Sequence, residues 1–226
     1  MTPQDKGLRL IEEVWQVRIG DNTSFCLNLI KYGADVNTRN TAGWSALAHA
    51  AENGLTDVVL ALLDHGADVN EKTRSNWTPL IYAANAGRTD TVLALLERGA
   101  QVNTQNDIGG TALIHAAENN FPQTVIALLE NGANINAHDK KEWTALMNAA
   151  RHGHTETAMT LIDYGADITL RHIHGSTARD IALKNNHTTL AAHIHERHIK
   201  KTFSAAAEKG TPRAHKIRRR KTEAAP

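Results

Sequence analysis

Residues 66–98 read GADVNEKTRSNWTPLIYAANAGRTDTVLALLER, and the fold can be read from this stretch. Thr78 stands where a helix N-cap belongs, and Pro79 takes the next position, where its missing N–H leaves no bond unmade. Leu80, Ala83 and Ala84 follow with helical spacing, and the alanine pair lets a neighbouring helix approach closely. A second helix carries Val92, Leu95 and Leu96 and runs into Gly99, which suits a left-handed C-terminal cap. The stretch therefore predicts two short antiparallel helices followed by a connecting finger that opens at Asn103.

The same text recurs on both sides with a fixed period. The phrase Gly-Ala-x-Val/Ile-Asn/Thr begins at Gly33, Gly66, Gly99, Gly132 and Gly165, so each start lies 33 residues after the last. Ser45, Thr78, Thr111, Thr144 and Thr177 hold the N-cap register, and Ala50-Ala51, Ala116-Ala117 and Ala149-Ala150 hold that of Ala83-Ala84. Val59, Leu62 and Leu63, then Val125, Leu128 and Leu129, repeat the second helix. Asn37, Asn70 and Asn136 open fingers as Asn103 does. One such unit buries too little apolar surface to stand alone, so neighbours must stack into a continuous core.

Trp77-Thr78-Pro79-Leu80, Ala83-Ala84, Gly87 and Gly66-Ala67-Asp68-Val69-Asn70 resemble the ankyrin repeat, and the resemblance covers roughly residues 5 to 198. It implies an all-α ankyrin-repeat solenoid of about six stacked helix–turn–helix units with short β-hairpin fingers. It also implies an L-shaped stack with a concave face made of finger tips and inner helices. Read this way, residues 1–199 form the repeat domain. It has an N-terminal cap at 5–37, full repeats at 38–70, 71–103, 104–136 and 137–169, and a C-terminal cap at 170–199. The family's usual His after Thr-Pro-Leu is replaced by Ala48, Ile81, Ile114, Met147 and Asp180, and its central Gly by Asn120 and Asn186. Asn also tolerates the left-handed conformation. In the caps, Val14 takes the place of Leu47, Leu29 and Ile30 those of Leu62 and Leu63, Arg18 that of Ala51, and Arg179 that of Leu146.

Candidate binding residues come from the register. Trp44, Trp77 and Trp143 end successive fingers and would form an aromatic ridge, interrupted at Gly110 and closed at Ser176. Trp is the residue type most enriched at binding hot spots; the alternative is that each indole packs over its neighbour's finger and stiffens the stack. His49, Tyr82, His115 and Asn148 share a register on the inner helix, and Glu52, Asn85, Glu118 and Arg151 lie one turn further on, so together they could line a mixed polar groove. Trp15, with Leu8, Ile11 and Val14, is expected to pack in the core. Cys26 occupies the slot of Val59, Val92 and Val125 and reads as a buried small hydrophobe. Seven of the thirteen histidines fall between His172 and His215, but their spacing lacks the i, i+4 pair of a zinc helix. Neither a metal site nor a cofactor is expected. No phosphate loop, nucleophile elbow or catalytic Cys–His arrangement appears, so no enzyme activity is expected.

The chain has 226 residues, of which 41% are hydrophobic and 22% charged, a composition that suits a globular protein. Its net charge of +1 conceals an acidic body and a basic end: residues 200–226 hold nine Lys/Arg against two acids. Arg213, Lys216, Arg218, Arg219, Arg220 and Lys221 form a cluster without interleaved aromatics, in a segment (200–226) expected to be a flexible tail in which the last helix could continue to Glu208. No apolar run would cross a membrane, Met1–Gly20 lacks the pattern of a secretory signal, and one cysteine permits no internal disulfide. These features favour a cytoplasmic, monomeric, non-enzymatic module that binds one protein partner through the concave face. The alternatives are an accessory protein whose basic tail contacts nucleic acid or anionic membrane while the repeats recruit a partner, and a secreted ankyrin-type effector. They carry nuclear or exported localisation with them.

Overall fold

The structure, a computed structural model, describes residues 1–16 and 22–209. Twelve helices lie among the described residues: α1 (Pro3–Gln16), α2 (Thr23–Lys31), α3 (Ala46–Asn53), α4 (Thr56–Asp64), α5 (Pro79–Asn85), α6 (Thr89–Glu97), α7 (Ala112–Glu118), α8 (Pro122–Glu130), α9 (Ala145–His152), α10 (Thr155–Asp163), α11 (Ala178–Lys184) and α12 (Thr188–Lys209). Odd-numbered helices pack one on the next as an inner layer, and even-numbered helices form an outer layer. Each inner helix also packs on the outer helix that follows it.

Local chemistry starts every inner helix from α3 onward. The Ser45 hydroxyl accepts from the Ala48 N–H at 3.0 Å, and Thr78, Thr111, Thr144 and Thr177 accept from the third residue of their helices at 3.3 Å. Each bond satisfies a donor that the first turn would otherwise leave open. In the last unit Asp180 completes a capping box with Thr177, and these bonds, backbone first, hold its carboxyl below the usual range. The positions where the family carries His are buried as Ala48, Ile81, Ile114 and Met147. They add apolar contact between units in place of polar bonds.

The core is the alanine pairs together with Leu47, Leu80, Leu113 and Leu146 from the inner layer and Val59, Leu62, Val92, Leu95, Val125 and Leu128 from the outer layer, none more than 2% exposed. Each Leu so buried contributes about 1.5–3 kcal/mol relative to exposure. Leu63, Leu96 and Leu129 are only partly buried. Cys26 is fully buried, and burial, followed by the nearby charge of Glu13, pushes its thiol up to about 11. Asn120 and Asn186 adopt φ of 62° and 64°, as their substitution for Gly requires.

Units are tied together by bonds that repeat with the period. The Asn70 Nδ2 group donates to the Gly99 carbonyl at 3.2 Å, while its Oδ1 accepts from the Gln101 N–H at 2.8 Å. Asn103 does the same with Gly132 and Asn134. On the outer layer Thr56 and Thr91 share a hydroxyl bond of 2.8 Å, as do Thr89 and Thr124. Gly87 has φ of 67°, and the Phe121 ring of the next unit lies so close that a methyl group there would collide with it.

Two features differ from expectation. The fingers are tight loops rather than β-hairpins: among the described residues the bridges are isolated pairs, Arg39 with Ser45 and His138 with Thr144. The loop closes through a few backbone bonds, Asn40 N–H to the Trp44 carbonyl at 2.9 Å with Gly43 N–H to the Asn40 carbonyl at 2.8 Å in one unit, and Thr73 N–H to the Trp77 carbonyl with Asn76 N–H to the Thr73 carbonyl, both at 3.0 Å, in the next. The first unit is also offset. Its inner helix begins at Pro3, where the repeat register would place a finger, and it buries Gly7, Leu10, Ile11 and Val14. That face leaves Trp15 63% exposed, with Leu8 exposed as well, so the expected core role of Trp15 is corrected. At the other end α12 continues past 199 to Lys209, close to the Glu208 to which the sequence allowed it to run. Arg18 and the basic cluster Arg213, Lys216, Arg218, Arg219, Arg220 and Lys221 lie outside the described residues.

Candidate functional site: the inner-helix and finger face

The tryptophans end their fingers one residue before the N-cap, and this places each indole over the inner layer. Trp44 stacks on His49 of its own unit, with ring centroids 4.4 Å apart and planes 16° from parallel, and meets Tyr82 of the next unit at 4.4 Å. Trp77 repeats the arrangement with Tyr82 at 5.0 Å and His115 at 4.6 Å. The result is a continuous aromatic ladder, His49–Trp44–Tyr82–Trp77–His115, spanning three units.

Gly110 ends the ladder for a steric reason. A side chain there would sit 2.5 Å from His115 Nε2, which instead pairs with the Asn106 amide at 2.9 Å. Beyond this gap Trp143 stacks on His172 of the following finger at 5.0 Å and 9°, and the Arg151 guanidinium lies over its ring at 5.5 Å. The ridge is therefore closed by His172 rather than at Ser176.

The polar candidates divide into floor and wall. His49, Tyr82, His115 and Asn148 are all buried beneath the indoles, and the Asn148 amide donates to the Thr144 carbonyl at 3.1 Å. Burial holds His49 neutral, with its pKa lowered to about 4, and its Nδ1 has no hydrogen-bond partner. Glu52, Asn85, Glu118 and Arg151 stand nearer solvent one turn further on. His115 lies 3.7 Å from the Glu118 carboxylate, and the nearby ring, more than any other group, holds that carboxyl below the usual range. Glu52 makes no ion pair among the described residues.

Three clefts run in series along this face. The first, about 540 Å³, lies between α1 and the first finger and is walled by Trp15 and Trp44. The second, about 570 Å³, is bordered by Trp77, Asn85, His115 and Glu118. The third, about 300 Å³, is bordered by His115, Glu118, Trp143, Asn148 and Arg151. Ten of the eleven residues expected from the sequence line these clefts, and Tyr82 sits between Trp44 and Trp77 as a spacer.

Some interacting residues escaped the sequence reading. Arg88, His154 and His187, each just ahead of an outer helix, donate or share a ring N–H with the carbonyls of Glu52, Glu118 and Arg151 in the preceding unit, at 3.0–3.1 Å. They cap the exposed carbonyl ends of α3, α7 and α9 from outside. His154 and His187 thus have structural partners, and no three metal-ligating side chains converge among the described residues.

Paired inner and outer helices at a 33-residue period define a helical repeat solenoid. The family model described as Ankyrin repeats (3 copies) matches residues 15–106 and 113–203, and the chain belongs to the ankyrin-repeat family. Ankyrin repeats are in general protein–protein interaction modules, and the family typically acts as a non-enzymatic scaffold. No curated protein matches the chain as a relative. No helix among the described residues is long and apolar enough to cross a membrane.

Proposed function

We propose that this chain binds one protein partner through the face built from fingers and inner helices. The observation that carries this reading is the run of three clefts on that face, each bordered by a partly buried tryptophan. An indole held rigidly by stacking, with one edge in water, offers large contact area at little further entropic cost on binding. Trp44, Trp77 and Trp143 supply the anchors, and Glu52, Asn85, Glu118 and Arg151 the polar rim. His49, Tyr82, His115 and Asn148 hold the anchors in place from below. The single buried Cys26 suits work in a reducing compartment such as the cytoplasm.

The test is affinity capture from nuclease-treated lysate with three baits: the full chain, a chain with Trp44, Trp77 and Trp143 replaced by Ala, and a chain lacking residues 211–226. Asn85→Arg with Glu118→Arg, which alters only the rim, guards against loss of fold in the tryptophan variant. The expected result is a protein retained by the first and third baits and lost by both face variants. Capture that follows residues 211–226 instead, and weakens steeply with salt, would favour the basic cluster as the working part.

A further inference from the structure

The first of the three clefts differs from the others in chemistry. Trp15 and Trp44 wall it, Glu12 and Glu52 contribute carboxylates, and His49 lies along it with Nδ1 unpartnered; among the described residues no Lys or Arg lines it. Neither Glu12 nor Glu52 forms an ion pair among the described residues, and the Trp15 ring has no aromatic or cationic partner there. Two unpaired carboxylates beside an open indole form a cation-accepting arrangement, since the face of an aromatic ring attracts a positive charge.

The molecule shows what such a site holds when it is filled. At Trp143 the inner-helix residue eight positions on is Arg151, whose guanidinium lies 5.5 Å over the indole. The equivalent residue eight positions after Trp44 is Glu52. The repeat thus supplies a cation from within at Trp143 and a carboxylate in its place at Trp44. The charge at the first cleft is complementary to a guanidinium that comes from elsewhere.

We propose that the Trp15–Trp44 cleft takes an arginine side chain of the protein partner, with the guanidinium against the Trp15 ring and between the carboxylates of Glu12 and Glu52. A planar guanidinium carries five donors, enough to bond both carboxylates while stacking on an indole, whereas an ammonium offers three donors and no plane. This inference rests on the interaction reading above and names the partner group that one part of the face recognises.

The test is a titration of the ¹⁵N-labelled full chain with the peptide acetyl-Gly-Arg-Gly-amide, with its lysine and citrulline counterparts, followed at the tryptophan indole N–H resonances. Citrulline keeps the shape of arginine and removes the charge. The arginine peptide is expected to shift the Trp15 and Trp44 resonances and leave that of Trp143 in place. Citrulline should bind roughly tenfold more weakly and lysine in between. Glu52→Gln should weaken arginine binding severalfold, and Glu52→Arg, which places a cation in the cleft as at Trp143, should abolish it with the helical signal intact. Equal response to arginine and citrulline, an unchanged titration in Glu52→Arg, or no shift of Trp15 and Trp44 at saturating peptide would overturn the proposal. If the peptide fails while capture is still lost in the face variants, the interaction reading stands without this contact. If capture ignores the face variants, that reading falls by itself.

Discussion

His49 is 7% exposed and stacked on Trp44, and burial lowers its pKa from an ordinary 6.5 to about 4. Its folded pKa is depressed, so the unfolded chain takes up the proton first as the pH falls. The stability lost in this way is absent above about pH 6.5 and accumulates down to about pH 4. At the lower end it amounts to about 3 kcal/mol, at about 1.36 kcal/mol for each pH unit between the ordinary 6.5 and about 4. Glu12 and Glu52 line the same cleft, and Glu71, whose carboxyl burial pushes up, acts in the opposite direction. All three are retained in a His49→Phe variant, which keeps a ring against Trp44 and removes the titration. Urea unfolding followed by circular dichroism, at neutral pH and near pH 4, measures the effect. The natural chain should lose about 3 kcal/mol more than His49→Phe over that interval. Parallel losses in the two chains, within about 0.5 kcal/mol, would refute the reasoning and show that His49 reaches water.

Leu95 is 0% exposed in α6, so Leu95→Ala should cost roughly 2–5 kcal/mol in urea unfolding; a loss well under 1 kcal/mol would contradict the packing of the outer layer. Glu142 holds a left-handed conformation, φ 60°, at a finger position where Gly43, Gly109 and Gly175 stand in other units, so Glu142→Gly should raise stability by about 1 kcal/mol. Gly110→Ala would place a methyl group 2.5 Å from His115 Nε2 and break its bond to Asn106, costing roughly 1–3 kcal/mol and shifting the His115 ring resonances.

The repeat was legible because its signals are local and recur in one register. N-cap hydroxyls, alanine pairs and the glycine after each outer helix all follow from backbone geometry, which every unit shares. The tryptophan register led to the clefts for the same reason. What escaped involves residues that meet across units without sharing a type. Arg88, Phe121, His154 and His187 hold equivalent places with three kinds of side chain. Each meets the preceding unit at residues 34 to 36 positions earlier, so no one letter marks the contact throughout. The left-handed finger position is obscured in the same way, since Gly43, Asn76, Gly109, Glu142 and Gly175 fill it. Trp15 was misplaced because α1 does not keep the register: its buried stripe is Gly7, Leu10, Ile11 and Val14, and Trp15 falls beside that stripe on the cleft side. One wall of the first cleft was therefore hidden in a residue read as core.

The most direct test of the account is photo-crosslinking in source-cell lysate, with a benzophenone amino acid placed in turn at Trp44, Trp143 and Leu93. The two tryptophan positions lie on the finger and inner-helix face, whereas Leu93 is a 37% exposed residue of the outer helix α6. One protein crosslinked from both tryptophan positions and not from Leu93 is the predicted result. Crosslinking from Leu93, with none from Trp44 or Trp143, would contradict the claim that this face binds the partner.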